Sequence, residues 1–493
     1  MRCRSRFLCS AAAVLALAGP VRAEPPAPPT GFQAEVKVET PTRLDWQFAA
    51  TAFGPDAAKL PAGYDSRRQR YQLFVPKDYN PGKLWPLVVF ISPGDDPLGW
   101  RYWQKPCEEA GALFCAAYGA GNNCPVGPRM RLVLDVLDDV RRHYRIDPDQ
   151  TYLTGFSGGG RMACSIAFAL PEYFGGVAPL CGTNPLSRHD YLRHRVQDRL
   201  SVAFVTGATD FNRKENEEFM APLFHDLGIR SRLWVVPKLG HGIPGPDVLA
   251  EVLKWLADDL PRRRADAKAR PGLAASPDEV LTPLRQAARV LEAVEADLKT
   301  PERTWRGVTL LRGVVERWGN SDSAEKARKL LEEIQADPKR AALVAEQGGK
   351  DERLTLAAQA RALERFGDLR RALQAWEALA RHHADTDEGK QAAGEAQRVR
   401  AVLAATPYLG IAFTGSGLRV GQVAPDGPAQ RAGIRSGDLL IKLGDREVTS
   451  LAELRKALEA HKPGDKVVLE IERGGKPMAL TVKLGATPAA DRQ

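Results

Sequence analysis

The 493-residue sequence has few of the residues that usually build metal sites and disulfide frameworks. It contains 7 cysteines and 8 histidines, without a Cys-x-x-Cys pair or a spaced His/Cys cluster. No metal site is therefore predicted, and no cofactor is expected. After the first 23 residues no segment approaches the roughly 18 apolar residues of a membrane span. We therefore expect no transmembrane anchor in the chain after residue 23.

Strong charge of one sign is also missing. The formal net charge is +9, and four of the arginines lie within the first 22 residues, which leaves +5 for the remainder. So small an excess does not indicate nucleic-acid binding. The densest basic run, Arg262–Arg264 with Lys268 and Arg270, precedes Pro271 and Gly272. Such runs are usually solvated, so residues 262–276 are predicted to form a basic linker.

The N-terminus has the pattern of a secretory signal peptide. Three arginines are followed by an apolar run over residues 7–18 and by Val21-Arg22-Ala23, which predicts residues 1–23 as the signal. We therefore expect an exported protein, periplasmic or extracellular. An oxidising compartment permits up to two disulfides among the five later cysteines, and buried thiols are an equally good interpretation.

Residues 44–261 alternate between apolar strands and segments of helical period. This pattern predicts a doubly wound, mostly parallel sheet with helices on both faces. The main predicted strands are residues 70–75, 86–92, 114–118, 151–156, 177–181, 201–207 and 232–236. Right-handed crossovers would place the carboxyl ends of the parallel strands on one rim of the sheet.

Residues 277–404 are predicted to be all-helical. Ser276-Pro277-Asp278-Glu279 has the residues of a capping box that opens a helix. Trp318–Ala324 is echoed 65 residues later by His383–Gly389, which indicates a helical-hairpin repeat. Residues 363–379 resemble a tetratricopeptide-type hairpin, and a spacer bundle is an equally good alternative.

Residues 405–486 change to short strands punctuated by glycine. The segments Tyr408-Leu409-Gly410-Ile411, Gly427-Pro428-Ala429 and Ser436-Gly437-Asp438-Leu439-Leu440 resemble a PDZ domain, a small α+β fold. The resemblance implies that N–H groups around Leu409, Gly410 and Ile411 hold the C-terminal carboxylate of a protein or peptide, which adds a strand to the sheet. The alternative is a docking brace without a peptide ligand.

The segment Gly155-Phe156-Ser157-Gly158-Gly159 fits the G-x-S-x-G nucleophile elbow. It lies between a predicted strand and a predicted helix, where flanking glycines permit a sharp turn. A serine hydroxyl becomes nucleophilic when a base removes its proton. Ser157 is therefore the predicted nucleophile.

The order nucleophile, acid, base is typical of this fold. Asp210 follows the strand 201–207, and His241 stands in Gly240-His241-Gly242 before the last helix. We predict a Ser157, Asp210, His241 triad, with Gly158 donating one N–H to the oxyanion. The weaker candidates are His189, His194 and His225, interpreted as solvated, and Asp190, Asp198, Asp226 and Asp247.

These motifs, with Tyr71–Pro76 and Ile146-Asp147-Pro148, resemble the polyhydroxyalkanoate-depolymerase and feruloyl-esterase-like branch of α/β-hydrolase esterases. The resemblance implies an ester substrate. Where that family usually has His-Gly after the third strand, this chain has Ser92-Pro93-Gly94-Asp95. Proline has no N–H, so Gly94 or Asp95 is the expected second oxyanion donor.

The leading hypothesis is an exported serine hydrolase that cleaves carboxylic esters, small or polysaccharide-linked, through an acyl-enzyme. Its PDZ domain would dock a protein or peptide. A serine peptidase on the same fold is the first alternative, because it would use the same triad. A catalytically weak adaptor is the second, because the loop at residues 92–95 is altered.

Overall fold

The computed structural model describes residues 29–186, 189–273, 282–414 and 417–489. The predicted signal peptide and the capping box at Ser276 lie outside the described residues. The chain is multidomain, as predicted, with a parallel-sheet region, a helical region and a small antiparallel region in that order. No helix in the described ranges has the length and apolarity needed to cross a membrane.

The first region is built on one eight-stranded sheet. Its strands are β1 (Gly31–Lys37), β2 (Arg70–Val75), β3 (Trp85–Ile91), β4 (Leu113–Ala117), β5 (Ile146–Phe156), β6 (Gly176–Leu180), β7 (Ser201–Gly207) and β8 (Ser231–Val236). Their spatial order is β1-β2-β4-β3-β5-β6-β7-β8. The β1–β2 and β2–β4 pairs are antiparallel, and all other pairs are parallel. The predicted α/β-hydrolase fold class is confirmed.

Helices cover both faces of this sheet. They are α1 (Trp46–Thr51), α2 (Trp100–Ala110), α3 (Val126–His143), α4 (Gly158–Ala169), α5 (Asp190–Arg199), α6 (Ala221–Asp226), α7 (Pro246–Ala257) and α8 (Leu260–Ala269), and a π-helix (Glu215–Met220) precedes α6. Val89 of β3 belongs to the core on one face, while Val88 and Phe90 belong to the core on the other. Burial on both faces explains why the central strands are continuously apolar.

Strand β1 corrects the predicted start of this region at residue 44. Gly31 pairs with Val75, and Lys37 pairs with Arg70, so the sheet begins before that point. The side chains of β1 are mostly exposed or half-buried. An edge strand of this kind has no apolar run that would reveal it in the sequence.

The basic run at residues 262–270 is also different from the prediction. It lies largely in α8, and Arg263 is buried, with Nη1 donating to Asp259 Oδ2 at 3.0 Å. Arg270 is buried too and donates to Asp198 Oδ1 at 2.9 Å. Arg264 and Lys268 are exposed, whereas for Arg263 and Arg270 the interpretation as solvated residues is wrong. Their carboxylate partners neutralise them inside the fold.

The helical region contains α9 (Pro283–Asp297), α10 (Thr304–Arg317), α11 (Asp322–Ala336), α12 (Pro338–Phe366), α13 (Leu369–His382) and α14 (Asp387–Ala405). The two echoed segments form the same type of turn between helices. Ser321 caps α11 by accepting from Ala324 N–H, and Thr386 caps α14 by accepting from Gly389 N–H. A Ser or Thr at this position satisfies one of the unpaired N–H groups at a helix start.

The third region is a small mixed fold. Its elements are β9 (Pro407–Tyr408), β10 (Ile411–Thr414), β11 (Arg419–Val423), α15 (Pro428–Arg431), β12 (Leu439–Leu443), β13 (Arg446–Glu447), α16 (Leu451–Leu458), β14 (Lys466–Arg473), β15 (Lys476–Lys483) and β16 (Gly485–Ala486). The main sheet runs β10-β11-β12-β14-β15, with β10 at its edge. Its strands are antiparallel and enclose a separate hydrophobic core.

Candidate active site

Ser157 occupies a sharp turn between β5 and α4. Its backbone has φ 54° and ψ −119°, a conformation that a non-glycine residue adopts only when the surroundings enforce it. Two glycines make the turn sterically feasible. A Cβ on Gly155 would lie 2.5 Å from the Gly159 backbone, and a Cβ on Gly159 would lie 2.0 Å from Ile91 O. The chain therefore folds back on itself here and presents the hydroxyl at the rim of the sheet.

The structure brings Ser157 together with the other two predicted triad residues. His241 Nε2 lies 2.9 Å from Ser157 Oγ, and His241 Nδ1 lies 2.8 Å from Asp210 Oδ1. Asp210 follows β7 and His241 lies between β8 and α7, so three different strand ends supply the three side chains. Parallel strands in one sheet have their carboxyl ends on one edge, which explains why residues 84 positions apart meet.

Asp210 is held in its ionised form. Its side chain is fully buried, which by itself would raise the pKa of the carboxyl. Hydrogen bonds from Asn212 N–H, His241 and Thr206, together with the neighbouring Cys181 thiol, outweigh burial and lower that pKa. Asp210 Oδ1 accepts from Asn212 N–H at 3.0 Å, and Oδ2 accepts from Thr206 Oγ1 at 2.8 Å. The carboxylate is thus fixed in position and able to balance a positive imidazolium.

Two aromatic rings enclose His241. The ring of Phe156 lies 5.0 Å from the imidazole, and the ring of Phe211 stacks on it at 4.1 Å with an interplanar angle of 26°. Phe211 is 76% exposed, which is unusual for a phenylalanine and leaves its outer face open to a bound molecule. The prediction did not include Phe211, although its position directly after Asp210 places it at the site.

Cys181 also contacts the triad. It follows β6 directly, on the same rim, and its backbone has a positive φ of 57°. Its Sγ–H donates to Gly242 O at 3.3 Å, and the sulfur lies within 4.8 Å of an Asp210 carboxylate oxygen. Burial and the neighbouring carboxylate raise the pKa of this thiol to about 12. Cys181 is therefore a neutral thiol beside Asp210 rather than a second nucleophile.

Cys181, Asp210 and His241 form a group whose possible ligand atoms lie within 4.8 Å of one another. The Cys181 thiol is engaged with Gly242 O at 3.3 Å. The carboxylate and imidazole atoms are already engaged in the hydrogen bonds to Thr206 and Ser157 described above. The arrangement fits a proton-transfer chain better than a metal centre. All five cysteines after residue 23 are free thiols.

The predicted oxyanion donors lie in two places. Gly158 is the first residue of α4, directly after Ser157. Gly94 and Asp95 lie in the exposed loop after β3, where Gly94 N–H donates to Ser92 Oγ at 3.2 Å. Asp95 is packed against the loop after β4, because Asp95 O accepts from Gly119 N–H at 2.7 Å. Gly94 is thus already engaged within its own loop.

The other histidine and carboxylate candidates lie away from the triad. His194 is buried and bonds to Gln197 at 3.0 Å, so its interpretation as a solvated residue is wrong. Burial lowers the pKa of His194 to about 4, and the nearby charges of Arg306 and Arg193 add to this effect. His189 and His225 pair with Glu316 and Asp226 at the surface.

In the third region, the predicted carboxylate-binding residues differ in exposure. Leu409 and Gly410 are buried and Ile411 is half-buried, and Gly410 and Ile411 line a cavity of about 580 Å³ together with Tyr408, Ala424 and Arg431. Gly410 has φ +78°, a conformation that favours glycine. Edge strand β10 follows directly, with Ala412 and Thr414 exposed.

Comparison with known families identifies the third region. Residues 407–484 match the PDZ domain family, so the chain carries a C-terminal PDZ domain, as predicted. Among curated proteins the chain is 40% identical over 76 residues to a probable periplasmic serine endoprotease DegP-like of Pseudomonas fulva, which is 15% of this chain and 16% of that protein. It is 34% identical over 74 residues to the periplasmic pH-dependent serine endoprotease DegQ of Escherichia coli, which is 15% of this chain and 16% of that protein. The chain thus spans about 16% of the length of these relatives.

Solved structures of an esterase and of a serine hydrolase resemble part of the chain. A thermostable esterase matches with 22% identity and a TM-score of 0.31, over 38% of this chain and 59% of that one. The fluorophosphonate-binding serine hydrolase FphF of Staphylococcus aureus matches with 15% identity and a TM-score of 0.33, over 40% of this chain and 94% of that one.

Proposed function

We propose that this chain is an exported serine hydrolase that cleaves carboxylic esters through an acyl-enzyme at Ser157. The observation that carries the proposal is the continuous hydrogen-bond chain from Ser157 Oγ through His241 to the buried Asp210, with links of 2.9 and 2.8 Å. In such a chain the imidazole can remove the serine proton while the carboxylate balances the charge that forms.

The reaction proceeds in two steps. Ser157 Oγ attacks the acyl carbon while His241 Nε2 takes its proton, and the tetrahedral intermediate expels the alcohol, which receives that proton. Water then repeats the sequence on the acyl-enzyme and releases the acid. Gly158 N–H donates to the negative oxygen in both steps. Ionised Asp210 keeps the Nδ1 proton on the side away from the serine, which leaves Nε2 free to act as base.

The helical region and the PDZ domain are proposed to position the enzyme and to take no part in the chemistry. The PDZ domain is proposed to dock the C-terminus of a protein or peptide along β10, whose position at the sheet edge leaves a strand-pairing surface. The helical region connects the hydrolase region to the PDZ domain. Buried charge pairs hold it against the hydrolase region. Arg317 donates to Asp45 and Glu172 at 2.9 Å, so the helices are part of one assembly with the catalytic sheet.

The test is covalent labelling of the mature protein with a fluorophosphonate. Wild type is expected to be labelled, and Ser157→Ala and His241→Ala are expected to lose labelling. Ser165→Ala is the matched control, because Ser165 lies on α4 and bonds to Asn184 rather than to the triad. Wild-type protein that takes no label would contradict the proposal.

Substrate classes are then compared with the same variants. p-Nitrophenyl esters and feruloylated sugars are expected to turn over and peptides are expected to remain intact. Cleavage of peptides without ester turnover would favour the peptidase alternative, and labelling without turnover of either class would favour a weak adaptor. Binding of C-terminal peptides to the PDZ domain is measured separately, by fluorescence anisotropy with a peptide library.

A further inference from the structure

The loop after β3 leaves the second oxyanion position without an obvious backbone donor. Tetrahedral intermediates of acyl transfer need preorganised N–H groups aimed at the developing negative oxygen. Pro93 has no N–H, and Gly94 N–H is bonded to Ser92 Oγ. The backbone nitrogen of Asp95 lies 2.9 Å from the position that a Cβ on Gly121 would take, so it is packed against the loop after β4.

That neighbouring loop brings a side-chain amide to the elbow. A Cβ on Gly158 would lie 2.0 Å from Asn122 Oδ1, 2.6 Å from Cγ and 2.8 Å from Nδ2. The whole amide of Asn122 is therefore in contact with the residue that follows the nucleophile. Asn122 is exposed, so the amide stands at the mouth of the site and not in the core.

Arg129 determines which way the amide points. Its Nη1 donates to Asn122 Oδ1 at 3.2 Å, its Nε to Ala120 O at 2.6 Å and its Nη2 to Ser92 O at 3.0 Å. A guanidinium has donors only, so the atom it meets must be the amide oxygen. The two Nδ2 hydrogens remain available, because no acceptor lies within hydrogen-bonding distance of them in the described part of the chain.

The same arginine also ties the loops together. Ser92 belongs to the loop after β3 and Ala120 to the loop after β4, and Asn122 N–H donates to Pro93 O at 2.8 Å. Arg129 is itself buried, at 5% exposure. These contacts hold the Asn122 backbone and side chain in one position relative to Gly158, which is the preorganisation that an oxyanion donor requires.

We propose that Asn122 Nδ2 is the second oxyanion donor and that Arg129 is its positioning residue. The inference rests on the proposed function. When Ser157 Oγ bonds to the acyl carbon, the carbonyl π electrons move onto oxygen, and this oxygen accepts from Gly158 N–H and Asn122 Nδ2–H. When the intermediate collapses, that electron pair returns and the alcohol leaves with the proton held by His241. A side-chain donor explains how the site tolerates Pro93.

The test uses Asn122→Ala, Asn122→Asp and Asn123→Ala. The neighbouring Asn123 is exposed as well, and it is the matched control. We expect Asn122→Ala to lower kcat for a p-nitrophenyl ester about 10²- to 10³-fold, as loss of one oxyanion donor does, with KM changed less than about threefold. Asn122→Asp keeps an acceptor for Arg129 but replaces the donor with an anionic oxygen, so its kcat should fall at least as far. Asn123→Ala should stay within about twofold of wild type.

A second measurement separates catalysis from folding. A boronic acid forms a tetrahedral adduct with the serine, so its affinity should fall in parallel with kcat/KM in the Asn122 variants. An uncleaved ether analogue of the substrate should bind all variants equally. Wild-type kcat in either Asn122 variant would overturn the inference and leave the proposed function intact. Absence of wild-type turnover, or turnover that survives Ser157→Ala, would instead overturn the proposed function.

Discussion

Replacing Asp210 by Asn tests how much the triad depends on charge. Asp210 Oδ1 accepts from both His241 and Asn212 N–H, whereas Oδ2 accepts from the Thr206 hydroxyl. An asparagine can place its oxygen at the Oδ1 position and its amide nitrogen toward Thr206, whose hydroxyl can accept as well as donate. The His241 tautomer is then preserved, and the negative charge is the main property removed.

The magnitude follows from the separation of the charges. Asp210 and His241 approach to 2.8 Å, and two unit charges about 3–4 Å apart at an effective dielectric constant of about 20 attract by about 4–6 kcal/mol. The imidazole is positive in the transition state and neutral before the reaction, so this energy is lost from the transition state alone. At about 1.36 kcal/mol for each tenfold change in rate, we expect kcat to fall about 10³- to 10⁴-fold.

The assay is steady-state hydrolysis of a p-nitrophenyl ester at pH 7 to 8, with KM expected to change little. Asp247→Asn is the matched control, because Asp247 is exposed and pairs with Lys105 at 2.6 Å outside the site. A fall of less than tenfold in Asp210→Asn, in a protein that Ser157→Ala inactivates, would refute the electrostatic role of Asp210.

Three further predictions concern the surroundings of the site and the helical region. Phe211→Ala should lower the kcat/KM ratio of benzoate to acetate esters about fivefold, because a ring stacked on His241 contributes about 1 kcal/mol to an aromatic acyl group; an unchanged ratio would contradict this. His194 has its pKa lowered to about 4, so below about pH 6.5 the unfolded chain binds more protons than the folded chain. The free energy of unfolding should therefore fall by about 2 kcal/mol from pH 7 to pH 5. In urea titrations His194→Gln should not show this decrease in the free energy of unfolding. An equal decrease in both proteins would contradict the role of His194. Ser321→Ala and Thr386→Ala should each lower the free energy of unfolding by about 1 kcal/mol. Unchanged urea midpoints would disprove the capping role.

The central sheet could be predicted because its signals are local. The strands from β3 to β8 are apolar runs separated by helical periods, and their predicted and observed bounds agree within a few residues except at β5, which starts at Ile146 rather than 151. The positions of Ser157, Asp210 and His241 follow from the same alternation, because each lies just after a strand or before a helix. Chain order on a known type of sheet is enough to bring them to one rim.

Contacts between distant charges could not be predicted in this way. Arg263 and Arg270 look solvated in the sequence because no sequence pattern marks their partners, Asp259 and Asp198, as buried. The structure shows that Arg263 is 1% exposed. A run of arginines on a helix is solvated or buried according to what packs on it, and packing is a property of the whole fold.

The proposed oxyanion site shows the same limit on a smaller scale. The position of Gly158 could be predicted because a residue directly after Ser157 depends only on the turn that Gly155 and Gly159 permit. Asn122 differs, because its position depends on a loop after β4 and on three hydrogen bonds from Arg129, a residue of another element. Comparing the loop after β3 with that of the resembled esterase family shows only that the His-Gly pair is absent. The loop after β3 lacks the expected donor, and the proposed replacement, Asn122, lies on the loop after β4. Only the fold brings these two loops together beside Ser157.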